Sequence, residues 1–414
     1  MNPSITACPA APDFDPFDGT PHEFYRHARR HRPVFHHAPT NTYVLTRYDD
    51  CKALLANHSG TVSASVAIGG HLLFAPDPPA GAVLAKAGFT HRPTIVDEDG
   101  QDHRRHRAAT QPPFNPARVR ELKNFIRDQV VQRIERIRGN GRADLVDDLV
   151  YDVPAAVILH MMGIPDDQLG LVKNFRGPYA SFIWGRPDGA TQLEVATGMA
   201  AFWHWAQTLV QHRLERPGSD IISAAIARLR SQLPEEKLAG FVSSYALNII
   251  MAGHETTVNT AAYGLLHLLQ QRDQWQTLVD DPTLIPNALE ELLRYSTGVP
   301  AWRQLLTAAT RFSDVELPAG SIVYAAIVSA NRDEEVFGAT AESLDIYRTS
   351  ARRHLAFGAG VHTCGGNHLA RLELSILLEE LTRELPTLRL VPEQQFTFAP
   401  NTSQRGPEHL HVVW

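Results

Sequence analysis

Cysteine is scarce in this chain. Its three residues, Cys8, Cys51 and Cys364, stand far apart among 414, with no C-x-x-C pair and no even-numbered set. That excludes a disulfide framework and suits a reducing compartment, the cytoplasm. No run of about 18 apolar residues occurs, so no transmembrane helix is expected. Met1–Gly19 carries prolines and aspartates but no apolar core, so it does not read as a signal peptide. Neither sign of charge dominates: 39 Lys and Arg against 45 Asp and Glu leave a net charge of −6, which offers no ground for nucleic-acid binding. Twenty histidines are many, yet none forms an H-x-x-x-H zinc pattern around a Glu. Internal repeats, low-complexity tracts and flavin or reductase motifs are also missing.

One cysteine is set differently from the other two. Residues 354–373 read HLAFGAGVHTCGGNHLARLE. Gly358 and Gly360 precede Cys364. After it, Leu369, Leu372, Leu374, Ile376, Leu377 and Leu381 recur at roughly helical spacing, so a helix starts just past the thiol. A thiol at a helix N-terminus meets the positive end of the dipole and unpaired N–H groups, both of which favour the thiolate. The glycines let backbone amides come close to the sulfur. A charge-stabilised thiolate in such a loop is what an axial haem ligand needs.

Earlier in the chain, residues 1–14 read as a loose tail, Pro21–Arg30 as a helix, Thr42–Arg47 as a short strand and Asp49–Asn57 as a helix. The Gly-, Ala- and Pro-rich stretch 59–93 reads as a long covering loop. The acids Asp97, Glu98 and Asp99 suit a helix start, and His103 and Arg107, four apart, share a face of that helix. Further helices are expected over 117–138, 144–162, 166–177, 191–216, 219–230, 235–270, 274–280 and 283–296, with a flexible connection over 177–190. In the helix at 235–270, Ala252-Gly253-His254-Glu255-Thr256-Thr257 interrupts an apolar centre. A glycine there costs about 1 kcal/mol, and a buried acid with two alcohols needs partners. Glu291 and Arg294 form an i,i+3 pair. The segments around Val315–Gly320 and Ser321–Val328 read as a turn and a strand, and Leu388 and Leu410 open the last strands.

The run Phe357-x-x-Gly360-x-His362-x-Cys364-x-Gly366, continued by Leu369-Ala370-Arg371, resembles the haem-binding signature of the cytochrome P450 family, of the soluble bacterial type. The resemblance runs from about residue 15 to the end. It implies a mainly α fold with a small β region, a single domain over 15–414, and haem b held between the helix at 235–270 and the helix after Cys364. By resemblance, Cys364 is the axial metal ligand. Phe357, Gly358, Gly366, Ala252 and Gly253 line the cofactor, and His103, Arg107, Arg303 and His362 serve its propionates. Thr256 positions a proton for O–O cleavage and Glu255 relays protons from solvent. Glu291, Arg294 and Arg348 form a structural trio. Candidate pocket residues, from analogy of position, are Val66, Ile68, Leu72, Phe182, Ile249, Ala252, Val299 and Thr402, with Thr402 pointing into the pocket.

The implied activity is haem-thiolate monooxygenation: dioxygen and two electrons oxidise a small, largely apolar organic molecule, in secondary metabolism. With no reductase on the chain, electrons come from a separate ferredoxin or flavodoxin and its reductase, docked on Arg104-Arg105 and Arg352-Arg353. A peroxide-using haem-thiolate enzyme and a non-catalytic haem sensor are the alternatives. The Glu255-Thr256 pair argues against the first, and the covering loop with its flexible connection against the second.

Overall fold

A computed structural model describes residues 14–17, 21–57, 60–67, 76–90, 92–165, 168–170 and 178–414. The helices that position the site are α1 (His22–His31), α2 (Tyr48–Ala56), α3 (Pro78–Lys86), α4 (Gly100–Thr110), α5 (Pro116–Glu121), α6 (Lys123–Arg138), α7 (Asp152–Met161), α8 (Pro178–Trp184), α9 (Gly189–Glu215), α10 (Ile221–Leu229), α11 (Glu235–Ile250), α12 (Thr256–Gln270), α13 (Arg272–Asp280), α14 (Ile285–Tyr295) and, after the cysteine, α15 (Asn367–Glu384). Side-chain caps mark several starts where the sequence offers a short polar residue. Asn115 accepts from the Ala117 and Arg118 N–H groups, Asp188 from Thr191, and Asp220 from Ile222 and Ser223. Each satisfies N–H groups that the first turn leaves unpaired.

The β region is small. β1 (Val34–His37), β2 (Thr42–Leu45), β3 (Val62–Ser63), β5 (Trp302–Leu306) and β8 (Ile322–Ala325) form one sheet in the order β1-β2-β8-β5-β3. β2 runs parallel to β8 with Tyr43 opposite Val323, and β5 runs antiparallel to β8 with Arg303 opposite Tyr324. A second sheet joins β4 (Arg142–Asp144), β10 (His411–Val413) and β9 (Arg389–Leu390), so the last strand closes onto the start of the α7 region. β6 (Thr310–Phe312) and β7 (Val315–Leu317) make a hairpin where a turn is expected from the sequence. The largest apolar cluster packs α6, α7, α11, α12, α14 and α15 together through residues such as Ile126, Val157, Tyr245, Leu265, Leu292 and Leu377. No helix among the described residues is long and apolar enough to cross a membrane.

Several expectations are corrected. The stretch 59–93 contains β3 and α3, and α3 packs along α9. The connection at 177–190 contains α8, because Tyr179-Ala-Ser-Phe-Ile-Trp between its prolines is long enough for two turns. Residues 144–162 form the end of β4, a π turn at Val146–Val150 and α7, in place of one helix. Phe14 is no part of a loose tail: it is buried against Phe24, Tyr25 and Phe35. Ile68, Leu72 and nearly all of the helix expected at 166–177 lie outside the described residues.

Candidate functional site

The loop before Cys364 is shaped by two glycines with positive φ, Gly358 at 69° and Gly360 at 72°. A Cβ on Gly360 would lie 2.6 Å from the Ala56 Cα, so the loop can rest on the end of α2 only with glycine there. The chain then turns back. The Cys364 N–H donates to the Phe357 carbonyl at 2.8 Å, and Asn367 Nδ2 donates to the Cys364 carbonyl at 2.7 Å. Burial pushes the Cys364 thiol above its ordinary range, while the Gly366 N–H and the charges of Arg107 and Arg371 pull it back. A metal ion on the sulfur would complete that pull, since a coordinating thiol loses its proton.

Helix α4 lies along this loop. Arg107 Nη2 donates to the Thr363 carbonyl at 2.6 Å and Gln111 Nε2 to the Gly365 carbonyl at 2.9 Å. The His103 ring sits 4.2 Å from the His362 ring. Residues 103, 107 and 111 therefore form one stripe, and the sequence reading stopped one turn short of Gln111; the i+8 spacing was the available signal. His103 is buried, and its Nε2 has no hydrogen-bond partner among the described residues. Burial, then the neighbouring His362 and Arg107, lower its pKa to about 4. His362 reaches Asp99 at 3.6 Å. Burial opposes ionisation of Asp99, but hydrogen bonds from His362, Ser63 and the Ala64 N–H outweigh it and hold its pKa low. Asp99 thus ties β3 to the cysteine loop, a role beyond starting a helix. Arg303 is fully buried on β5 and donates from Nε to the Val66 carbonyl at 2.6 Å.

Opposite sequence logic shapes the long helix. Between α11 and α12 the residues Met251–Glu255 form a π turn, a widening that occurs often at functional sites. Gly253 does not face an open side: a Cβ there would lie 2.5 Å from Ile158 Cδ1, so the glycine serves close packing against α7. His254 is likewise turned away, with Nε2 2.9 Å from the Tyr151 carbonyl and its ring against Tyr151. Ala252 is exposed and Glu255 and Thr256 are half-buried, although Met251, His254, Thr257 and Val258 beside them are buried. Thr256 Oγ1 donates to the Ala252 carbonyl at 2.5 Å across the turn. The π turn thus presents the Ala252 methyl and the Thr256 hydroxyl on one open stripe, with Glu255 half-buried beside them.

The expected trio closes as one unit. Arg294 donates from Nε and Nη2 to the two oxygens of Glu291, each at 2.7 Å, and Arg348 Nε reaches Glu291 Oε1 at 3.1 Å. The remaining guanidinium N–H groups bind the carbonyls of Asn331, Ala341, Ser343, Phe337 and Thr340. All three charges are buried and satisfied, so removing one partner would cost about 3–5 kcal/mol. Sequence reasoning missed the neighbouring carboxylate. Glu290 is buried and binds His354 at 3.1 Å and Arg371 at 2.7 and 3.1 Å. Arg371 in turn lies over the Phe357 ring and donates to Asn367 Oδ1. A chain of contacts therefore runs from α14 to the Cys364 carbonyl. The only signal was the doublet Glu290-Glu291.

Of the pocket candidates, Phe182 is buried in a cluster with Trp184, Met199 and Met251, against which Trp302 packs. Ile249 and Val299 are half-buried and Val66 is buried. Thr402 does not offer its hydroxyl inward, because Oγ1 donates to the Trp184 carbonyl at 3.1 Å and pairs with Tyr324 Oη.

The family model for cytochrome P450 matches residues 271–402. The steroid C26-monooxygenase of Mycobacterium tuberculosis is 30% identical over 98% of both chains. The chain belongs to the cytochrome P450 family. Among solved structures, a type IV self-sufficient cytochrome P450 monooxygenase superposes with a TM-score of 0.92 at 38% identity, over 99% of this chain but 54% of that one. This P450 thus spans about half the length of that self-sufficient relative. The haem domain from Tepidiphilus thermophilus superposes with a TM-score of 0.90 at 34% identity, over 97% and 96% of the two chains. The protein is a haem-thiolate monooxygenase whose cofactor is haem b. The residues present fit that group: a thiol with converging positive charge, a buried histidine nitrogen without a partner among the described residues, and an open stripe on the π turn.

Proposed function

We propose that this P450 oxidises a small, largely apolar organic molecule, with Cys364 as the thiolate that would hold the haem iron, and takes electrons from a separate ferredoxin. Bound haem supplies the redox chemistry, and thiolate donation favours O–O cleavage. The protein supplies the rest. His103 Nε2 and Arg107 would hold carboxylate groups of the cofactor, with His362 and Arg303 as further donors. Ala252 would offer the cofactor a methyl in place of a bulky side chain. Thr256 Oγ1 is fixed by its bond to the Ala252 carbonyl, which leaves its lone pairs to accept from a passing proton donor. Glu255, half-buried next to it, is the group that exchanges protons with solvent. His254 is locked to Tyr151 and takes no part. The observation that carries this reading is the Cys364 loop, where backbone and Asn367 hydrogen bonds hold the thiol at the start of α15.

The apolar character of the candidate pocket residues supports an apolar substrate. Phe182, Trp184, Met199 and Met251 pack in one apolar cluster, and the candidates Ile249 and Val299 are half-buried. A steroid-sized or smaller natural-product scaffold suits such apolar surroundings, and the mycobacterial steroid C26-monooxygenase supports it. A ferredoxin is the favoured donor because Arg104, Arg352 and Arg353 are exposed. Arg105 is half-buried and paired with Asp102 at 2.9 Å, so it contributes less charge to the expected docking patch than Arg104 does. Cytoplasmic residence and a single domain over 15–414 go with this reading. The deciding experiment is Cys364→Ala: loss of the red-shifted Soret band of the ferrous–CO form, together with product formation, is expected. Retention of both would overturn the ligand assignment. A spectral-shift screen with apolar ligands then identifies the substrate.

A further inference from the structure

The C-terminal sheet brings together groups that the monooxygenase chemistry does not use. Asp144 ends β4, Asp147 sits in the π turn that follows, and His409 and His411 stand two apart on the way into β10. In the β4–β10 register, His411 lies opposite Asp144. His409 Nδ1 is 2.6 Å from Asp144 Oδ2 and 3.7 Å from Asp147 Oδ2, and His411 Nδ1 is 4.0 Å from the same Asp144 oxygen. The two imidazoles are nearly parallel, 9° apart in plane with centroids 5.8 Å apart. Asp144 is held in place from behind, since its Oδ1 accepts the N–H groups of Leu410 and Val146. Its second oxygen is therefore aimed at both rings by the backbone, while the rings and Asp147 are exposed.

We propose that Asp144, Asp147, His409 and His411 form a surface binding site for a zinc-class divalent cation. Two imidazole nitrogens with two carboxylate oxygens suit zinc or its late first-row neighbours far better than magnesium or calcium, which prefer all-oxygen sets. Metal–ligand bonds of about 2.0–2.1 Å place tetrahedral ligand atoms about 3.3 Å apart. Three of the donor separations, 2.6, 3.7 and 4.0 Å, bracket that edge, and ligand atoms of Asp144, Asp147 and His409 all lie within 4.8 Å of one another, while His411 joins them by a side-chain rotation. The cation would take the place of the hydrogen between His409 and Asp144, since a ligating nitrogen and carboxylate must be free of protons. The Asp144 Oδ1 hydrogen bonds supply the supporting shell that orients a ligating carboxylate. The consequence is mechanical. The site clamps β10 to β4, and the segment leading to β10 carries Asn401 and Thr402 onto the carbonyls of Ala180 and Trp184, in the apolar cluster of α8.

The test uses the haem-loaded full chain, stripped with a chelator and titrated calorimetrically with zinc chloride and, separately, magnesium chloride. One saturable zinc equivalent is expected, with no matching magnesium event and a rise in Tm on zinc addition. His409→Ala with His411→Ala should weaken that equivalent about tenfold or more and abolish the Tm rise. Asp147→Asn should weaken it while leaving the hydrogen bond of Asp144 intact. An unchanged ferrous–CO spectrum in each variant establishes that it is folded. If the double histidine variant binds zinc with native stoichiometry and affinity, or if magnesium binds as zinc does, the proposal fails; the histidines elsewhere on the surface would then account for any zinc uptake.

Discussion

The buried carboxylate of Glu290 grips the guanidinium of Arg371 through both oxygens, at 2.7 and 3.1 Å, and so couples α14 to the helix that follows the cysteine. Its neighbour Glu291 grips Arg294 in the same way but turns to the opposite side, toward the loop carrying Arg348. Two successive acids on one helix thus anchor both approaches to Cys364. Burial alone would raise the Glu290 pKa, yet hydrogen bonds from His354 and Arg371 lower it to about 2.

Glu290→Gln should therefore destabilise the protein by about 2–3 kcal/mol at neutral pH. The folded pKa lies below the ordinary 4.5, so this stability is fully present above pH 4.5 and fades as pH falls toward 2. Denaturant unfolding of both proteins from pH 7 to pH 3.5 checks the convergence. Faster loss of the thiolate-type ferrous–CO band should accompany it, because Arg371 no longer fixes Phe357 and Asn367. A constant gap at all pH values would count against the ion pair as the cause.

Thr256→Ala should leave haem binding and substrate affinity within about twofold while reducing product formed per reductant consumed severalfold, since general acid–base positioning is worth about 10²–10⁴ in rate. Product and reductant assays run together measure this. Coupling equal to that of the unaltered protein would remove Thr256 from proton delivery. Glu255→Gln should slow turnover without the same loss of coupling.

Glu373, on α15, is buried, and neither carboxylate oxygen has a hydrogen-bond partner among the described residues. Burial pushes its pKa up to about 8 from the ordinary 4.5. A raised folded pKa means that stability is complete below pH 4.5 and declines as pH rises through 8, by at most about 1.4 kcal/mol per pH unit. Glu373→Gln should flatten that decline and raise Tm at pH 8 relative to the unaltered protein. Thermal melts at pH 5.5 and 8 decide it; an equal effect of the substitution at both values would contradict a neutral buried carboxyl.

Arg104→Glu with Arg352→Glu should slow ferredoxin-driven turnover about tenfold at low salt and flatten its dependence on ionic strength, as rim charges act mainly on association. Peroxide-driven turnover needs no partner and should hardly change. Both residues are exposed, and Val361 and Tyr347, in the cysteine loop and beside Arg348, add exposed apolar surface to the same segments. Rates and salt response unaffected by the double reversal would move the docking face elsewhere.

By itself the sequence determined what local spacing can carry. Cys364 with its glycines and following helix, the His103–Arg107 face, the Glu291–Arg294 pair and the interrupted helix at 251–257 are all set within a few turns of chain, where side-chain position follows from residue number. Tertiary structure decided the rest. The parallel pairing of β2 with β8 and the closing of β10 onto β4 join residues hundreds apart, and no local periodicity encodes which distant strand is the partner. Packing chose between adjacent residues of like chemistry: it turned Glu290 toward Arg371 and Glu291 toward Arg294, engaged Arg105 with Asp102 while Arg104 stayed exposed, and set Gly253 against Ile158. It also committed Thr402 to the Trp184 carbonyl, since a buried hydroxyl takes the partner that the fold brings within reach.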